Sequence, residues 1–166
     1  MQLQQELTPR RTALFVLISA ICVIAGAFIF QYGFGIAPCE LCYTQRIAYY
    51  IAMPVALLGT LLPNRSMTIR LALGILVLVF LFNAGLAAYH AGVEWKFWAG
   101  PSSCTTPQGM SLDNGGDLLA QMQQTVVVSC ADAGWRLFGI SLAGWNTLIS
   151  LGLAVVAAFP LIAKKQ

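Results

Sequence analysis

The stretch APCELCYTQR, residues 37–46, carries two cysteines with two residues between them and an arginine four places after the second. A C-x-x-C pair is a common redox unit, and the same spacing also occurs in zinc sites. A structural zinc needs four ligands, normally Cys or His, in a tetrahedral array. Cys104, Cys130 and His90, the only histidine in the sequence, could complete such a set. If a helix starts near Tyr43, Cys42 lies at its N-terminus, where free amides and the helix dipole favour an anion. Helix N-termini and nearby Arg or Lys both lower a cysteine's pKa, and Arg46 shares the face of Cys42 at i+4. Glu40, between the cysteines, works the other way by repelling a thiolate.

Cys104 and Cys130 enclose about 25 residues, and the loop that carries them opens with the Gly/Pro/Ser-rich run AGPSSCTTPQGMSLDNGG. As a structural staple such a bridge would contribute about 3.5 kcal/mol in the chain-entropy picture. As an exchangeable disulfide it would need an attacking thiolate to reach one sulfur, which a mobile, wet loop permits. The local sequence supports both. Between the two cysteines Leu118, Leu119, Met122 and Val126 recur at helical spacing, the pattern of a short amphipathic helix lying in a membrane surface. The fifth cysteine, Cys22, sits in an apolar helix and is expected to be inert packing.

These side chains are positioned by greasy elements. Of the 166 residues 58% are hydrophobic and only 9% charged, against roughly 25% charged in an ordinary soluble domain. The deficit makes a bilayer the solvent. Net charge is only +3 and no basic stripe is present, which argues against a nucleic-acid binder. Four stretches meet the length that a hydrocarbon core of about 30 Å demands, at about 12–30, 43–62, 71–89 and 145–163. Pro54 and Pro160 fall inside spans, where neighbouring helices re-satisfy the freed backbone groups. The expectation is an all-α membrane protein: one integral domain over residues 1–166, a bundle of four transmembrane helices. Its two outward loops run at about 31–42 and 90–144, the second carrying the interfacial helix.

Orientation follows from charge. Arg10, Arg11, Arg65, Arg70, Lys164 and Lys165 fall on one side, and Arg46, Lys96 and Arg136 on the other. The positive-inside rule then places both termini in the cytoplasm. Trp95, Trp98, Trp135 and Trp145 gather at the opposite boundary, as an interfacial aromatic belt would. A cleaved signal peptide ending near Ala25-Gly26-Ala27 is set aside, because the apolar run continues through Phe28, Ile29 and Phe30. Four of the five cysteines thereby face outward, which in bacteria is the oxidising periplasm where disulfides persist.

A thiolate at a membrane edge beside a cation suits a lipid-soluble oxidant arriving from within the bilayer, and a quinone fits that description. Arg46 could hold the negative charge that develops on reduction, since a charge driven toward hydrocarbon is a functional hypothesis by default. It could also simply snorkel to the interface. His90, at the outward end of the third span, could hydrogen-bond a quinone carbonyl or move a proton; an interfacial histidine without a task is the alternative.

The chain closely resembles the bacterial DsbB family, membrane quinone reductases that drive periplasmic disulfide formation. The resemblance covers nearly the whole chain: PCELCYTQR entering the second span, YHAGVEWKFWAGPSSC after the third and SCADAGWRLFGISLAGWN entering the fourth. It implies a Cys39–Cys42 disulfide linked to quinone, with Cys42 the cysteine beside the ring, and a Cys104–Cys130 disulfide as the shuttle pair. Cys104 would take the mixed disulfide with a DsbA-like thioredoxin-fold partner. Arg46, His90 and Gln45 match positions around the quinone, ubiquinone or menaquinone. The implied enzyme is a protein-dithiol:quinone oxidoreductase of the bacterial inner membrane that holds no metal. A cysteine-rich metal-binding membrane protein is the competing reading.

Overall fold

A computed structural model describes residues 8–64, 66–101 and 129–162. Cys104 and the expected interfacial helix lie outside the described residues. Four α-helices carry the described fold: α1 (Pro9–Phe28), α2 (Glu40–Leu61), α3 (Met67–Glu94) and α4 (Leu142–Ile162). One wider, π-helical turn over Ile29–Gly33 continues α1. Between α3 and α4 a small antiparallel hairpin pairs β1 (Arg136–Leu137) with β2 (Ile140–Ser141), Arg136 opposite Ser141 and Leu137 opposite Ile140. An all-α expectation has no place for it. Its two-residue connection, Phe138 and Gly139, has φ of 52° and 80°. Positive φ at both central residues belongs to the tight turn whose twist matches that of the strands.

Each helix begins about three or four residues earlier than apolar length alone predicts, and in α1 and α3 a side-chain cap sets the start. Thr8 accepts a hydrogen bond from the Arg11 amide at 3.4 Å, with Pro9 at the first helical position. Ser66 accepts from the Ile69 amide at 3.2 Å. Such caps satisfy amides that the helix itself cannot, and proline loses nothing at that position. The third helix also runs beyond Tyr89 to Glu94, so His90 and Glu94 are helical and buried.

Helix α1 packs on α2, α2 on α3 and α3 on α4, and α1 closes against α4. The Arg10 amide meets Asn64 Oδ1 at 3.0 Å, and Arg70 reaches the Leu161 carbonyl at 3.4 Å. The starts of α1 and α3 therefore share one end of the bundle with the ends of α2 and α4, an up-down-up-down arrangement. The core is built from Ala13, Val16, Ala20 and Ile24 on α1, Tyr49, Ala52 and Ala56 on α2, Leu73, Leu76 and Phe80 on α3, and Leu153, Ala154 and Ala157 on α4. Six of these thirteen are alanine, and small residues let backbones approach closely where lipid gives no hydrophobic drive for association. At Gly59 an added β-carbon would lie 2.9 Å from the Ala13 β-carbon, which marks a close α1–α2 approach.

The outside of the bundle is as apolar as its inside: Phe82 and Leu78 are 72% and 68% exposed. A surface of this kind is stable against acyl chains and not against water. Three of the helical segments, Pro9–Gly33, Met67–Glu94 and Leu142–Ile162, are long and apolar enough to cross a membrane.

Candidate functional site

Opposite the basic end of the bundle, Cys39 is the N-cap of α2 and Cys42 lies one turn on. Both are thiols, with Sγ atoms 3.1 Å apart, well beyond the roughly 2.05 Å of a disulfide bond. Because α2 starts at Glu40, it is Cys39, rather than Cys42, that precedes the helix, where its sulfur faces both Cys42 and the histidine. His90 Nε2 stands 3.6 Å from Cys39 Sγ.

The reduced pair shares its protons unequally. The hydrogen bond between the two sulfurs draws the Cys39 pKa down to about 4 against the opposing effect of burial, and His90 adds to the depression. Cys42 is pushed well above its ordinary range, because its proton is held by Cys39 and because it is buried. From sequence the helix end and Arg46 pull the Cys42 pKa down while Glu40 pushes it up, which leaves the balance open; the geometry assigns the depressed pKa to Cys39.

Cys130 is disulfide-bonded and almost fully buried, packed with Cys39, Leu41 and Val93 in a small second core at this end of the bundle. Its sulfur, that of Cys39 and a ring nitrogen of His90 all lie within 4.8 Å of one another. A metal could use three such atoms only if Cys130 were a thiolate, and its sulfur is already spent on a disulfide. The same closeness suits thiol–disulfide exchange, which needs one sulfur to reach another.

His90 is buried and both of its ring nitrogens face protein groups. Gln45 Nε2 meets Nδ1 at 2.8 Å, while Nε2 looks toward Cys39 and, at 3.8 Å, Glu94 Oε1. Gln45 spends its amide oxygen on Asn146, whose Nδ2 lies 2.6 Å away. Arg46 donates from Nη1 to Gln31 Oε1 at 2.6 Å. Its guanidinium sits 5.6 Å from the Phe28 ring centre and 5.4 Å from that of Tyr43, so aromatic faces share in holding the cation.

A cavity of about 460 Å³ opens beside the dithiol, lined among others by Phe30, Cys42, Arg46, Trp135, Trp145 and Ile149. That volume is within the range of small-molecule sites, and an apolar lining with a few polar groups is their usual make-up. Cys22 also borders it and is exposed, not packed. The buried face of α1 runs through Ala20 and Ile24, and Cys22, midway between them, points away from it.

Sequence reasoning overlooked Glu94, Tyr49, Asn83, Asn146 and Ser150, all buried or half-buried at or below the site. The available signal was a polar side chain within an apolar span, which is costly unless satisfied.

The family described as Disulfide bond formation protein DsbB matches residues 9–160. The chain belongs to the DsbB family. Among its relatives, Disulfide bond formation protein B 2 of Pseudomonas syringae pv. syringae is 34% identical over 164 residues, covering 93% of this chain and 90% of the relative. Disulfide bond formation protein B of Xanthomonas campestris pv. campestris is 31% identical over 141 residues, covering 82% and 81%. That of Xylella fastidiosa is 28% identical over 138 residues, covering 81% and 79%. In this DsbB-family chain the matched region contains α1, α2 and α3, all but the last two residues of α4, and every described sulfur.

Proposed function

We propose that this protein is a quinone-dependent, disulfide-generating oxidoreductase of the bacterial inner membrane that reoxidises a DsbA-like thioredoxin-fold protein. In this reading α2 is the fourth span: its 22 residues rise about 33 Å, and its polar start places Cys39 and Cys42 at the outer boundary. Both termini are cytoplasmic, with Arg10, Arg11 and Arg70 at the inner end. One domain spans the chain.

The observation that carries the proposal is the meeting of sulfurs at the mouth of an apolar cavity. Cys130, in its disulfide, lies within 4.8 Å of Cys39, and Cys42 and Arg46 line the adjacent space. The partner thiolate attacks Cys104, the bridge to Cys130 breaks, and the partner's second thiolate displaces Cys104 to leave the partner oxidised. With the inner pair oxidised, the Cys130 thiolate then attacks Cys39 of the Cys39–Cys42 disulfide and Cys42 leaves as a thiolate. Attack by Cys104 on Cys130 expels Cys39 and regenerates the shuttle disulfide. Each step makes one S–S bond and breaks one. The inner pair, one thiolate and one thiol, finally gives up two electrons and one proton and closes again.

The cavity fits a quinone headgroup, which when bound supplies the two-electron, two-proton sink. Phe30, Trp135 and Ile149 would hold its apolar faces and Arg46 would stabilise the charge that develops. His90 faces Cys39 sulfur, where it can hold or release a proton. The burial of the site keeps water from the thiolate and strengthens each of these contacts.

Anaerobic mixing of the purified protein with quinone and a reduced thioredoxin-fold partner tests the proposal. One quinol should appear for each partner disulfide formed. Partner oxidation without quinol, or quinol without partner oxidation, overturns it.

A further inference from the structure

A hydrogen-bonded line of buried side chains runs from the dithiol into the middle of the bundle, and nothing in the sulfur chemistry itself requires it. Tyr49 Oη donates to Asn146 Oδ1, and Ser150 Oγ approaches the same oxygen at 3.5 Å. Asn146 then has its amide nitrogen left for Gln45, which it meets at 2.6 Å from Oε1. Gln45 in turn presents its own amide nitrogen to His90 Nδ1 at 2.8 Å. An amide nitrogen has only protons to offer, so Nδ1 must accept, and a neutral imidazole with Nδ1 accepting carries its proton on Nε2.

We infer that Tyr49, Asn146 and Gln45 are positioning residues that fix the His90 tautomer, so that an Nε2–H donor faces Cys39 sulfur 3.6 Å away. The inference rests on the proposed thiol chemistry for its use, because a donor at that point stabilises Cys39 as thiolate and makes it the better leaving group.

The line continues below Asn146. Asn83 Nδ2 donates to Ser150 Oγ at 2.9 Å, its own Oδ1 meeting no hydrogen-bond partner among the described residues, which leaves the serine proton free to go to Asn146 Oδ1. Turning Gln45 alone would set its amide nitrogen against that of Asn146 in a buried site, where an unmet donor costs the most. Turning Gln45 and Asn146 together would leave the Tyr49 and Ser150 hydroxyls with no acceptor but each other, at 3.1 Å. One of the two protons would then be stranded. Only a concerted reversal of Asn83, Asn146 and Gln45 moves the His90 proton to Nδ1.

Among the described residues, the titratable and charged groups around Cys39 and His90 are Glu40, Cys42 and Arg46 on α2, Glu94 on α3, Arg136 on β1, and Asp132 beside the same cavity. Cys130 is held in its disulfide. Of these, only Glu94 competes for Nε2, and its nearest oxygen is 3.8 Å off.

The sequence has one histidine, so nitrogen-15 labelling of histidine in the full chain, reduced and in detergent micelles, reports His90 alone. At about pH 8 the wild-type spectrum should show a protonated Nε2 and a bare Nδ1. Asn146→Leu should bring in the Nδ1–H tautomer. It should also raise the proton affinity of the Cys39 thiolate, read by its ultraviolet absorbance, by about tenfold, the value of one hydrogen bond to a charged group. Tyr49→Phe should act in the same direction more weakly, and it serves where the leucine variant does not fold. A wild-type spectrum with the proton on Nδ1 overturns the inference. So do variants that keep both the wild-type tautomer and the wild-type thiolate titration. Neither readout involves quinone or the partner protein, so loss of the proposed activity and loss of this relay are seen separately.

Discussion

Cys39 ionises from about pH 4 upward while Cys42 holds its proton, and that asymmetry leaves a signature in the redox potential of the pair. Reducing a disulfide to two thiols takes up two protons, so its potential falls by about 59 mV per pH unit, twice the roughly 30 mV that a tenfold change is worth for two electrons. Where the product is one thiolate and one thiol, only one proton is taken up and the slope halves to about 30 mV. The pair should therefore follow the shallow slope across pH 5–8 and steepen below about pH 4. The sign follows from the depressed pKa: the stabilisation of the reduced form is present above about pH 4 and is lost as pH falls through it. At pH 7 the ionisation shifts the equilibrium by about three decades relative to a cysteine at its ordinary pKa of 9.0, making the pair about 90 mV more oxidising. The assay is equilibration of a Cys104→Ala, Cys130→Ala variant in thiol redox buffers of known potential, followed by mass-tag alkylation of free thiols at each pH. Cys22 contributes a constant background. A slope near 59 mV per unit throughout pH 5–8 would refute the shared-proton arrangement.

Other perturbations probe other parts of the molecule. Gly59→Val places side-chain atoms against Ala13 and should cost about 1–3 kcal/mol, seen as a lower unfolding midpoint in detergent and partly restored by adding Ala13→Gly. Arg46→Met removes the cation that Gln31, Phe28 and Tyr43 hold. It should raise the quinone concentration needed for half-maximal turnover by about tenfold or more, as expected for a lost charge-assisted contact, while both disulfides still form. Unchanged quinone kinetics would remove Arg46 from the site. Cys104→Ser should abolish partner oxidation yet leave the Cys39–Cys42 pair reducible by small thiols, and undiminished partner turnover would overturn the shuttle assignment.

The helices were legible because length in hydrocarbon is a simple constraint. Their starts were not: those of α1 and α3 are set by Thr8 and Ser66 through single hydrogen bonds outside the apolar runs. The placement of Cys42 and Arg46 on one face followed from i,i+4 spacing, whereas the division of protons between Cys39 and Cys42 depended on α2 beginning at Glu40. The side of α1 that carries Cys22 could not be read, since that helix is apolar all round and periodicity gives no phase. The line from Tyr49 to His90 joins residues up to 101 positions apart, and only packing brings them together. The hairpin had one weak signal, Phe138-Gly139, in a stretch too short for alternation to register.

Where α3 ends, Trp98 folds back over Gly92, a position where any β-carbon would collide with the indole. Its ring stacks on Tyr89 at 5.9 Å and its N–H bonds the Tyr89 carbonyl at 3.0 Å. This clasp pins the chain just before Pro101. Cys104 comes only three residues later, an arm of about 10 Å at full stretch. In the proposed cycle the shuttle sulfur therefore works within that reach of the clasp, and a partner must bring its own cysteine to it.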